Sequence, residues 1–520
     1  MTSSTPAAGQ RTALIAILSL SWLAVLAWPR PLLLPDEGRY VGVAWEMIRS
    51  GDWLVPRLDG LPYFHKPPLF YWLTATSLTW FGHSEWAARV ASLIGAWAGA
   101  MATFLFVRRW AGESLARLSL IALLAQPLFY LGAQFANLDM LVAACITVTV
   151  LLLAHVVLAA EQGPLPRPAL AAAWLAAALG VLAKGLIGFV LPALVIGAWL
   201  MLRRQWSMLR HLFWWPAILL FLAVGLPWFV AMQWRYEGFF EYFVIGQHLR
   251  RYVAGGFNNL QPFWFYPALL AVGTLPWLVW LRPLASKDAT ISTRRRELRS
   301  LMLVWICAIV SFFSLPQSKL IGYVLPAVPP IAVLLADGID RWRQRWPRGA
   351  RWWWFSALVS AALSISTVFV FAGRETHSTR ALSLALAAER QAPEPVFMIG
   401  RYDFDLPFYA RLSEPVAIVG DWADPDLRKV DNWRKELADA ATFEPAPAAG
   451  VLVARKDLTK SLCASPRSWV VGAERDVDAF AALKAAVRVT HVGELALWRV
   501  EPASARVNGR PMCAEIPSAD

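Results

Sequence analysis

Residues 138–160 read LDMLVAACITVTVLLLAHVVLAA, a stretch with one acid near its start and no lysine or arginine. A helix needs about 20 mainly apolar residues to cross the hydrocarbon core of a bilayer. Similar apolar blocks recur along the chain, at 13–29, 88–107, 116–134, 138–160, 168–183, 186–202, 212–233, 262–281, 300–316, 320–338 and 351–372. The sequence therefore predicts a mainly α-helical, polytopic transmembrane bundle with about 11 to 13 spans.

The overall composition favours the same class. The chain is 58% hydrophobic and 16% charged, whereas soluble domains average about 45–50% apolar and about 25% charged residues. The net charge of +13 would suggest a nucleic-acid partner in a soluble protein. Here the lysines and arginines lie between the apolar blocks and the aromatic residues lie inside them, so we expect no nucleic acid to bind.

The basic clusters predict which end of each span faces the cytoplasm, because short cytoplasmic loops are enriched in Lys and Arg. With the N-terminus inside, the dense basic clusters fall on the inner side, at 108–109, 203–210, 287–299 and 341–351. The apolar stretch 68–82 would break this pattern as a full span, so we interpret it as a re-entrant or interfacial segment. The loops 30–87 and 234–261 and the C-terminal tail then lie outside.

The tail at 374–520 is more polar than the rest of the chain. Its short apolar runs alternate with helix-compatible stretches, which is typical of a small α/β domain. The sequence thus predicts a transmembrane domain at 1–373 and an outer α/β domain at 374–520. Cys463 and Cys513 lie in this tail. Outside the cytoplasm they could form a disulfide, and two free thiols are the alternative.

Two acids follow the first apolar block, in the sequence Pro35-Asp36-Glu37-Gly38-Arg39-Tyr40. At the start of a helix, acids interact favourably with the helix dipole, and this is a purely structural explanation for both of them. The alternative is a binding or catalytic site. Arg39 is adjacent, and the loop continues through aromatic residues to Lys66. Several charges and aromatic rings in one interfacial loop favour a site.

Further ionisable residues lie at the same predicted membrane face. Asp139 lies in an apolar block, where an acid is a functional candidate unless it caps the helix. Lys66 begins another apolar stretch, so its ammonium group either extends to the interface or binds an anionic headgroup. Four cations from four segments would thus meet two acids, namely Arg39, Lys66, Arg251 and Lys319 beside Asp36 and Asp139.

This set of charges suits the transfer of a sugar from a lipid phosphate. The phosphate leaves with negative charge, which fixed lysines and arginines stabilise. One or two carboxylates could deprotonate or orient the acceptor, or offset positive charge that develops at the sugar. A phosphate is already a weak base when it leaves, so the reaction requires no general acid and no cofactor.

Five motifs carry a resemblance to a known family. They are P-D-E-G-R-Y at 35–40, Y-F-H-K-P-P at 63–68, N-L-D at 137–139, H-L-R-R-Y at 248–252 and S-K-L-I-G-Y-V-L-P at 318–326. In the order and spacing of these motifs, the chain resembles the bacterial aminoarabinose transferases that modify lipid A. These belong with the protein O-mannosyltransferases in the GT-C class of membrane glycosyltransferases. The resemblance covers roughly residues 10–375.

The resemblance implies an inverting transfer at the periplasmic face of the bacterial inner membrane. The donor would be a polyprenyl-phosphate sugar, with undecaprenyl as the expected carrier, and the acceptor lipid A or a related envelope glycan. It also implies roles for residues: acids at the catalytic centre, cations at the donor phosphate and tyrosines along the lipid or sugar cavity. The acids are Asp36 and Asp139, the cations are Arg39, Lys66 and Arg251, and the tyrosines are Tyr63 and Tyr323. To these we add Glu37 as a candidate acid, Lys319 as a candidate cation and Tyr40 as a candidate for the cavity lining.

One position departs from the family pattern. The family often has Glu before Lys-Pro-Pro, where this chain has His65. His65 and His248 are therefore metal candidates, but two histidines without a third ligand do not define a site, and we assign no metal.

Other functions also remain open. A polytopic lipid or solute transporter would usually show an internal repeat and Gly/Pro-interrupted spans, which this sequence lacks. A structural assembly protein would leave the gathered charges unexplained. A protein O-mannosyltransferase-like enzyme is the closest alternative to a lipid A transferase.

Overall fold

The computed structural model describes residues 6–250, 258–285, 292–373, 377–507 and 510–513. Its first twelve α-helices, α1 to α12, are Pro6–Ala24, Asp36–Ser50, Leu69–Phe81, Glu85–Ala111, Glu113–Ala125, Pro127–Ala133, Leu138–Ala160, Arg167–Lys184, Ile187–Leu202, Ser207–Leu212, Trp215–Gly225 and Pro227–Arg235. The later helices of the bundle are Glu241–Arg250 (a π-helix), Phe265–Gly273, Trp277–Ala285, Thr293–Ser314, Ile321–Ala327, Val328–Arg345, Pro347–Arg351 and Trp352–Ala372.

Among the described residues, seven continuous helical stretches are long and apolar enough to cross a membrane, or up to nine if each of two bent pairs is one span. Three of the seven, Trp215–Arg235, Ile321–Arg345 and Pro347–Ala372, each join two of the helices given above. The predicted helical bundle is confirmed, but the continuous spans are fewer than expected. Block 116–134 is bent by 67° between α5 and α6, and block 262–281 is bent by 104°. Pro127 and Pro276 stand at these bends. Proline has no N–H to continue a helix and disfavours the helical conformation of the residue before it.

The apolar stretch 68–82 forms α3, which has 13 residues. At 1.5 Å per residue, this helix is about 20 Å long, and the hydrocarbon core of a bilayer is about 30 Å thick. The length of α3 therefore agrees with a re-entrant or interfacial segment. A short hairpin precedes it, formed by strand β1 (Arg57–Leu58) and strand β2 (Leu61–Pro62).

The chain after residue 377 contains the expected α/β fold. Strands β3 to β8 are Val396–Ile399, Ala417–Gly420, Leu452–Ala454, Ser468–Ala473, Val487–Val492 and Leu495–Val500. They form one sheet in the order β5-β4-β3-β6-β8-β7, in which β3 to β6 run parallel and β8 pairs antiparallel with β6 and β7. Its helices are Arg380–Glu389, Leu406–Tyr409, Trp433–Ala441, Pro445–Val451, Arg455–Asp457, Leu458–Cys463, Glu474–Asp478 and Ala481–Leu483, and a last hairpin pairs β9 (Arg506–Val507) with β10 (Arg510–Pro511).

Both faces of this sheet are buried. Val396 and Met398 pack into the hydrophobic core that continues through the membrane helices. Phe397 and Ile399 pack into a separate core on the opposite face. Successive side chains of a strand point to opposite faces, so β3 contributes to both cores. The α/β domain after residue 377, which we call the outer domain after its predicted location, is therefore packed directly against the helical bundle.

The two cysteines of the tail form a disulfide between Cys463 and Cys513, with their Cα atoms 5.8 Å apart. This confirms the disulfide and excludes the alternative of two free thiols in this structure. The bond connects the helix Leu458–Cys463 to the chain just beyond β10.

Candidate active site

A cavity of about 800 Å³ lies between one end of the helical bundle and the outer domain. Seven of the predicted site residues line it, namely Asp36, Arg39, Tyr40, Tyr63, Lys66, Asp139 and Tyr323. Further charged or polar side chains also line it, among them His65, Lys184, His377, Arg401, Asp403, Asp431, Asn432 and Glu436. The structure therefore brings together acids and cations from distant parts of the sequence.

Asp36 is the first residue of α2, and it faces the cavity. Pro35 occupies the N-cap, and no side chain caps this helix. The position is favourable for the helix dipole, but the side chain remains 35% exposed, and its nearest cation is Arg39 at 3.9 Å. The surrounding cavity wall removes part of the solvent from Asp36 and so raises the pKa of its carboxyl, and the nearby Arg39 only partly offsets this. Asp36 thus places a carboxylate at the surface of the cavity, where it can contact a bound molecule.

Asp139 lies near the start of α7, but it does not cap this helix. Asn137 is the N-cap, and its side-chain oxygen accepts a hydrogen bond of 2.8 Å from the Asp139 N–H. The helix-cap explanation of Asp139 is therefore wrong. Its carboxylate instead forms an ion pair with Lys184. A Cβ atom at position 322 would overlap this carboxylate, so the glycine found there leaves room for it.

Lys184 is a site residue that we did not single out from the sequence. It ends α8, its ammonium nitrogen lies 4.2 Å from the centre of the Tyr323 ring, and it pairs with Asp139. A sequence signal was present, because Lys184 is a charge between two apolar blocks at 168–183 and 186–202. The rule that makes an intramembrane acid a functional candidate applies equally to this lysine.

Arg39 is held between the bundle and the outer domain. Its guanidinium nitrogen lies 3.2 Å from a carboxylate oxygen of Glu436 and 3.9 Å from Asp36. The guanidinium carbon also lies 4.7 Å from the centre of the Phe404 ring, a geometry that favours cation–π attraction. Glu436 and Phe404 lie far along the chain in the outer domain, and we did not select them from the sequence.

Lys66 lines the cavity next to an aromatic wall. The rings of Tyr63 and His65 stack with their centres 4.6 Å apart, and His65 also lies 5.8 Å from Tyr242. In the part of the chain that the structure describes, no group of three His, Cys, Asp or Glu side chains could hold a metal ion. The side chain of His248 and the whole of Arg251 lie outside that part.

The prediction that Glu37 is a catalytic acid is wrong, because Glu37 does not line the cavity. Its buried carboxylate pairs with Arg30 and with Arg89, whose Nε lies 3.0 Å away, and it accepts backbone hydrogen bonds from Leu33 and Ala136. Burial alone would raise the pKa of Glu37, but the two guanidinium groups outweigh this and lower it to about 2. Glu37 connects three segments of the fold and is not placed for catalysis.

The prediction that Lys319 binds the donor phosphate is also wrong. Its ammonium group is buried and donates hydrogen bonds to the backbone carbonyls of Gln261, at 2.9 Å, and Pro316. It does not line the charged cavity. The lysine therefore stabilises the approach of two chain segments, and its position does not support a contact with a donor phosphate.

A second, apolar cavity of about 480 Å³ borders the first. The two share Asp36, Asn137, Asp139 and Leu320. The rest of the second cavity is lined mainly by apolar side chains, among them Leu128, Leu131, Leu269, Ile321, Leu325, Val368 and Phe371. The acids Asp36 and Asp139 thus lie at the junction of a charged space and an apolar one.

Solved structures identify the architecture that the bundle, the outer domain and the cavity define. The crystal structure of ArnT from Cupriavidus metallidurans bound to undecaprenyl phosphate is similar with a TM-score of 0.77 at 25% identity, over 95% of this chain and 98% of that one. The archaeal oligosaccharyltransferase AglB from Archaeoglobus fulgidus shares the fold at a TM-score of 0.51 and 14% identity, over 91% and 70% of the two chains. The protein is therefore a multi-pass membrane protein of the GT-C class.

Sequence comparisons give the family. The model of the dolichyl-phosphate-mannose-protein mannosyltransferases matches residues 65–230. The undecaprenyl phosphate-α-4-amino-4-deoxy-L-arabinose arabinosyl transferase of Pseudomonas paraeruginosa is 30% identical over 434 residues, which are 81% of this chain and 71% of the relative. The chain belongs to this arabinosyl transferase family. A relative of the same name from Sodalis glossinidius is 34% identical over 63% of this chain and 59% of its own length. The chain thus spans about three fifths of the first curated relatives it matches.

Proposed function

We propose that the protein transfers a sugar from a polyprenyl-phosphate carrier to an acceptor of the bacterial envelope. The observation that carries this proposal is the meeting of Asp36 and Asp139 with Arg39, Lys66 and Lys184 in one cavity, beside an apolar cavity among the membrane helices. The names of the relatives support undecaprenyl phosphate as the carrier and an aminoarabinose as the sugar. Lipid A is the proposed acceptor.

In the proposed reaction, the bond between C1 of the sugar and the phosphate oxygen breaks, and its electron pair stays on the phosphate. An acceptor hydroxyl oxygen bonds to C1 from the opposite side, which inverts the configuration there. Arg39, Lys66 and Lys184 stabilise the charge that grows on the leaving phosphate, since fixed cations act most strongly where charge develops. The hydroxyl proton must pass to a base.

We assign this base to Asp36 rather than to Asp139. The carboxylate of Asp139 already pairs with Lys184, so its negative charge is compensated and its place is fixed. Asp36 is 3.9 Å from its nearest cation, and partial desolvation by the cavity wall raises its pKa, which makes its carboxylate a better proton acceptor. The proposed role of Asp139 is to orient Lys184 towards the phosphate and to offset positive charge at the sugar.

The apolar cavity suits a hydrocarbon chain of a lipid substrate. It reaches the two acids from among the membrane helices, so a chain lying there would bring a lipid headgroup to the charged cavity. A prenyl chain that moves from the bilayer into this cavity exchanges lipid contacts for protein contacts, so close packing against these side chains stabilises it, and not removal of apolar surface from water. The charged cavity then needs to bind only the phosphate and the sugar.

The proposed function predicts a change in the envelope of a deletion strain. Mass spectrometry of its lipid A should show the loss of an aminopentose that returns when the gene is restored. Loss of sugar from envelope proteins instead would favour the mannosyltransferase-like alternative, for which the match of the family model is a specific observation. Unchanged glycolipids and proteins would contradict a transferase.

We also propose that the cavity opens to the periplasm from the inner membrane. An alkaline phosphatase fusion after Gln391, in an exposed turn of the outer domain, should be active because this enzyme needs the oxidising periplasm for its disulfides. A fusion after Arg204, in a predicted cytoplasmic loop, is the matched control and should be inactive. The reverse pattern would invert the orientation of the bundle and remove the cavity from the proposed side.

A further inference from the structure

The outer domain packs directly against α2, the helix that carries Asp36 and Arg39. Two glycines on one face of α2 make the approach close. A Cβ atom at Gly38 would lie 2.9 Å from the backbone nitrogen of Asp405, and one at Gly42 would lie 3.1 Å from the carbonyl oxygen of Phe404. Residues three or four apart share a helix face, so these glycines and the catalytic end of α2 are fixed relative to the outer domain.

The outer domain uses this position to contact Arg39 in two ways. Phe404 presents the face of its ring to the guanidinium, and Glu436 pairs with it at 3.2 Å. Glu436 lies in the first turn of the helix Trp433–Ala441, and the Asn432 side chain caps that helix by accepting hydrogen bonds from two backbone N–H groups. The cap fixes the start of this helix and with it the position of the Glu436 carboxylate. The ion pair with Arg39 is therefore a fixed part of the cavity wall.

Arg39 is also one of the cations that the proposed reaction needs at the phosphate. A carboxylate and a phosphate use the same guanidinium N–H groups. A phosphate bound at Arg39 would therefore have to share these N–H groups with Glu436. This competition matters most after transfer, because the donor phosphodiester carries one negative charge and the released phosphate monoester carries about −1.5 to −2. Three cations around such a product would hold it tightly and delay the next turnover.

We propose that Glu436 is a positioning residue that competes with the product phosphate for Arg39 and so promotes release of the spent polyprenyl phosphate. Phe404 has the complementary role of holding the guanidinium in place without competing for its N–H groups. This inference rests on the proposed function, since it requires that the cavity binds a lipid phosphate. It assigns to the outer domain a part in turnover that the membrane helices do not supply.

The test uses the full-length protein in lipid nanodiscs, with undecaprenyl phosphate as the probe. Glu436→Gln keeps the shape of the side chain and removes its charge. We expect it to bind the probe about tenfold more tightly, on the scale of one hydrogen bond to a charged group. Its steady-state turnover should fall, and its first turnover should remain fast, so that a burst of product precedes a slower steady rate.

Two further variants make the result decisive. Asp439→Asn changes an acid of the same helix that pairs with Arg428 outside the cavity, and it should leave probe affinity unchanged. Phe404→Leu should weaken probe binding, because Arg39 loses the cation–π contact that holds its guanidinium in place while Glu436 still pairs with it. Unchanged or weaker binding by Glu436→Gln, or tighter binding by Phe404→Leu, would overturn the inference. Failure of the unmodified protein to bind the probe would overturn the proposed function itself.

Discussion

Replacing Asp36 by asparagine should lower turnover by about two to four orders of magnitude, the range expected when a general base is lost. The amount of folded protein in the membrane should stay the same. Asp36 has no capping hydrogen bond, and its side chain is 35% exposed at the cavity, so little of the fold depends on its charge. The measurement is the transfer rate with purified protein and an undecaprenyl-phosphate sugar, normalised to the folded fraction.

Glu37→Gln is the matched control, because it changes the next acid of the same helix. Glu37 pairs with Arg30 and Arg89 in a buried site, and removal of one partner of such a group costs about 3–5 kcal/mol. We therefore expect thermal unfolding at a lower temperature and less protein in the membrane, with the remaining folded protein still active. Full turnover of Asp36→Asn would show that Asp36 is not the base. A loss of abundance with normal turnover of the folded protein would show that its role is structural.

Replacing Lys66 by alanine should lower turnover by about two to three orders of magnitude, as for the loss of one fixed electrostatic donor. The ammonium group would bind the phosphate of the donor and bind it more strongly as charge accumulates during transfer. Lys66→Arg should restore only part of the rate, because the guanidinium is planar and wider than an ammonium group. Turnover of both variants with the purified lipid-linked sugar measures the effect.

A lysine of the outer domain provides the control for this second prediction. Lys429 is exposed, pairs with Asp426 and lies outside the cavity, so Lys429→Ala should transfer sugar at the normal rate. A lysine at position 66 that only extends to the membrane interface would tolerate both alanine and arginine. Near-normal turnover of Lys66→Ala would therefore remove Lys66 from the phosphate site and leave Arg39 and Lys184 as its described cations.

The helical bundle could be predicted from the sequence because long apolar blocks satisfy a local requirement. A backbone inside a bilayer must pair its own hydrogen-bonding groups, so each block becomes a helix wherever it lies. The same reasoning selected Asp139, since an acid within such a block is costly without a function or a partner. It did not predict the breaks at Pro127 and Pro276 as bends within blocks that we interpreted as single spans.

The identity of the site residues depended more on tertiary contacts. Asp36 and Glu37 are neighbours in sequence, and helix geometry points their side chains in different directions. Arg89 comes from α4, and its pairing with Glu37 buries that acid away from the cavity. No local pattern near position 36 contains this information. Lys319 was misassigned for the same reason, because its partners Gln261 and Pro316 meet only in the folded chain.

The sequence by itself determined the class of the protein, the approximate location of most of its apolar helices and the fact that ionisable residues accompany apolar blocks. These are local properties, set by the cost of placing polar groups in a bilayer. Only the tertiary structure decided that Asp139 pairs with Lys184 and that Arg39 meets Phe404 and Glu436 of the outer domain. The physical reason is that charge pairs form between groups close in space, and in this fold those groups are up to several hundred residues apart in sequence.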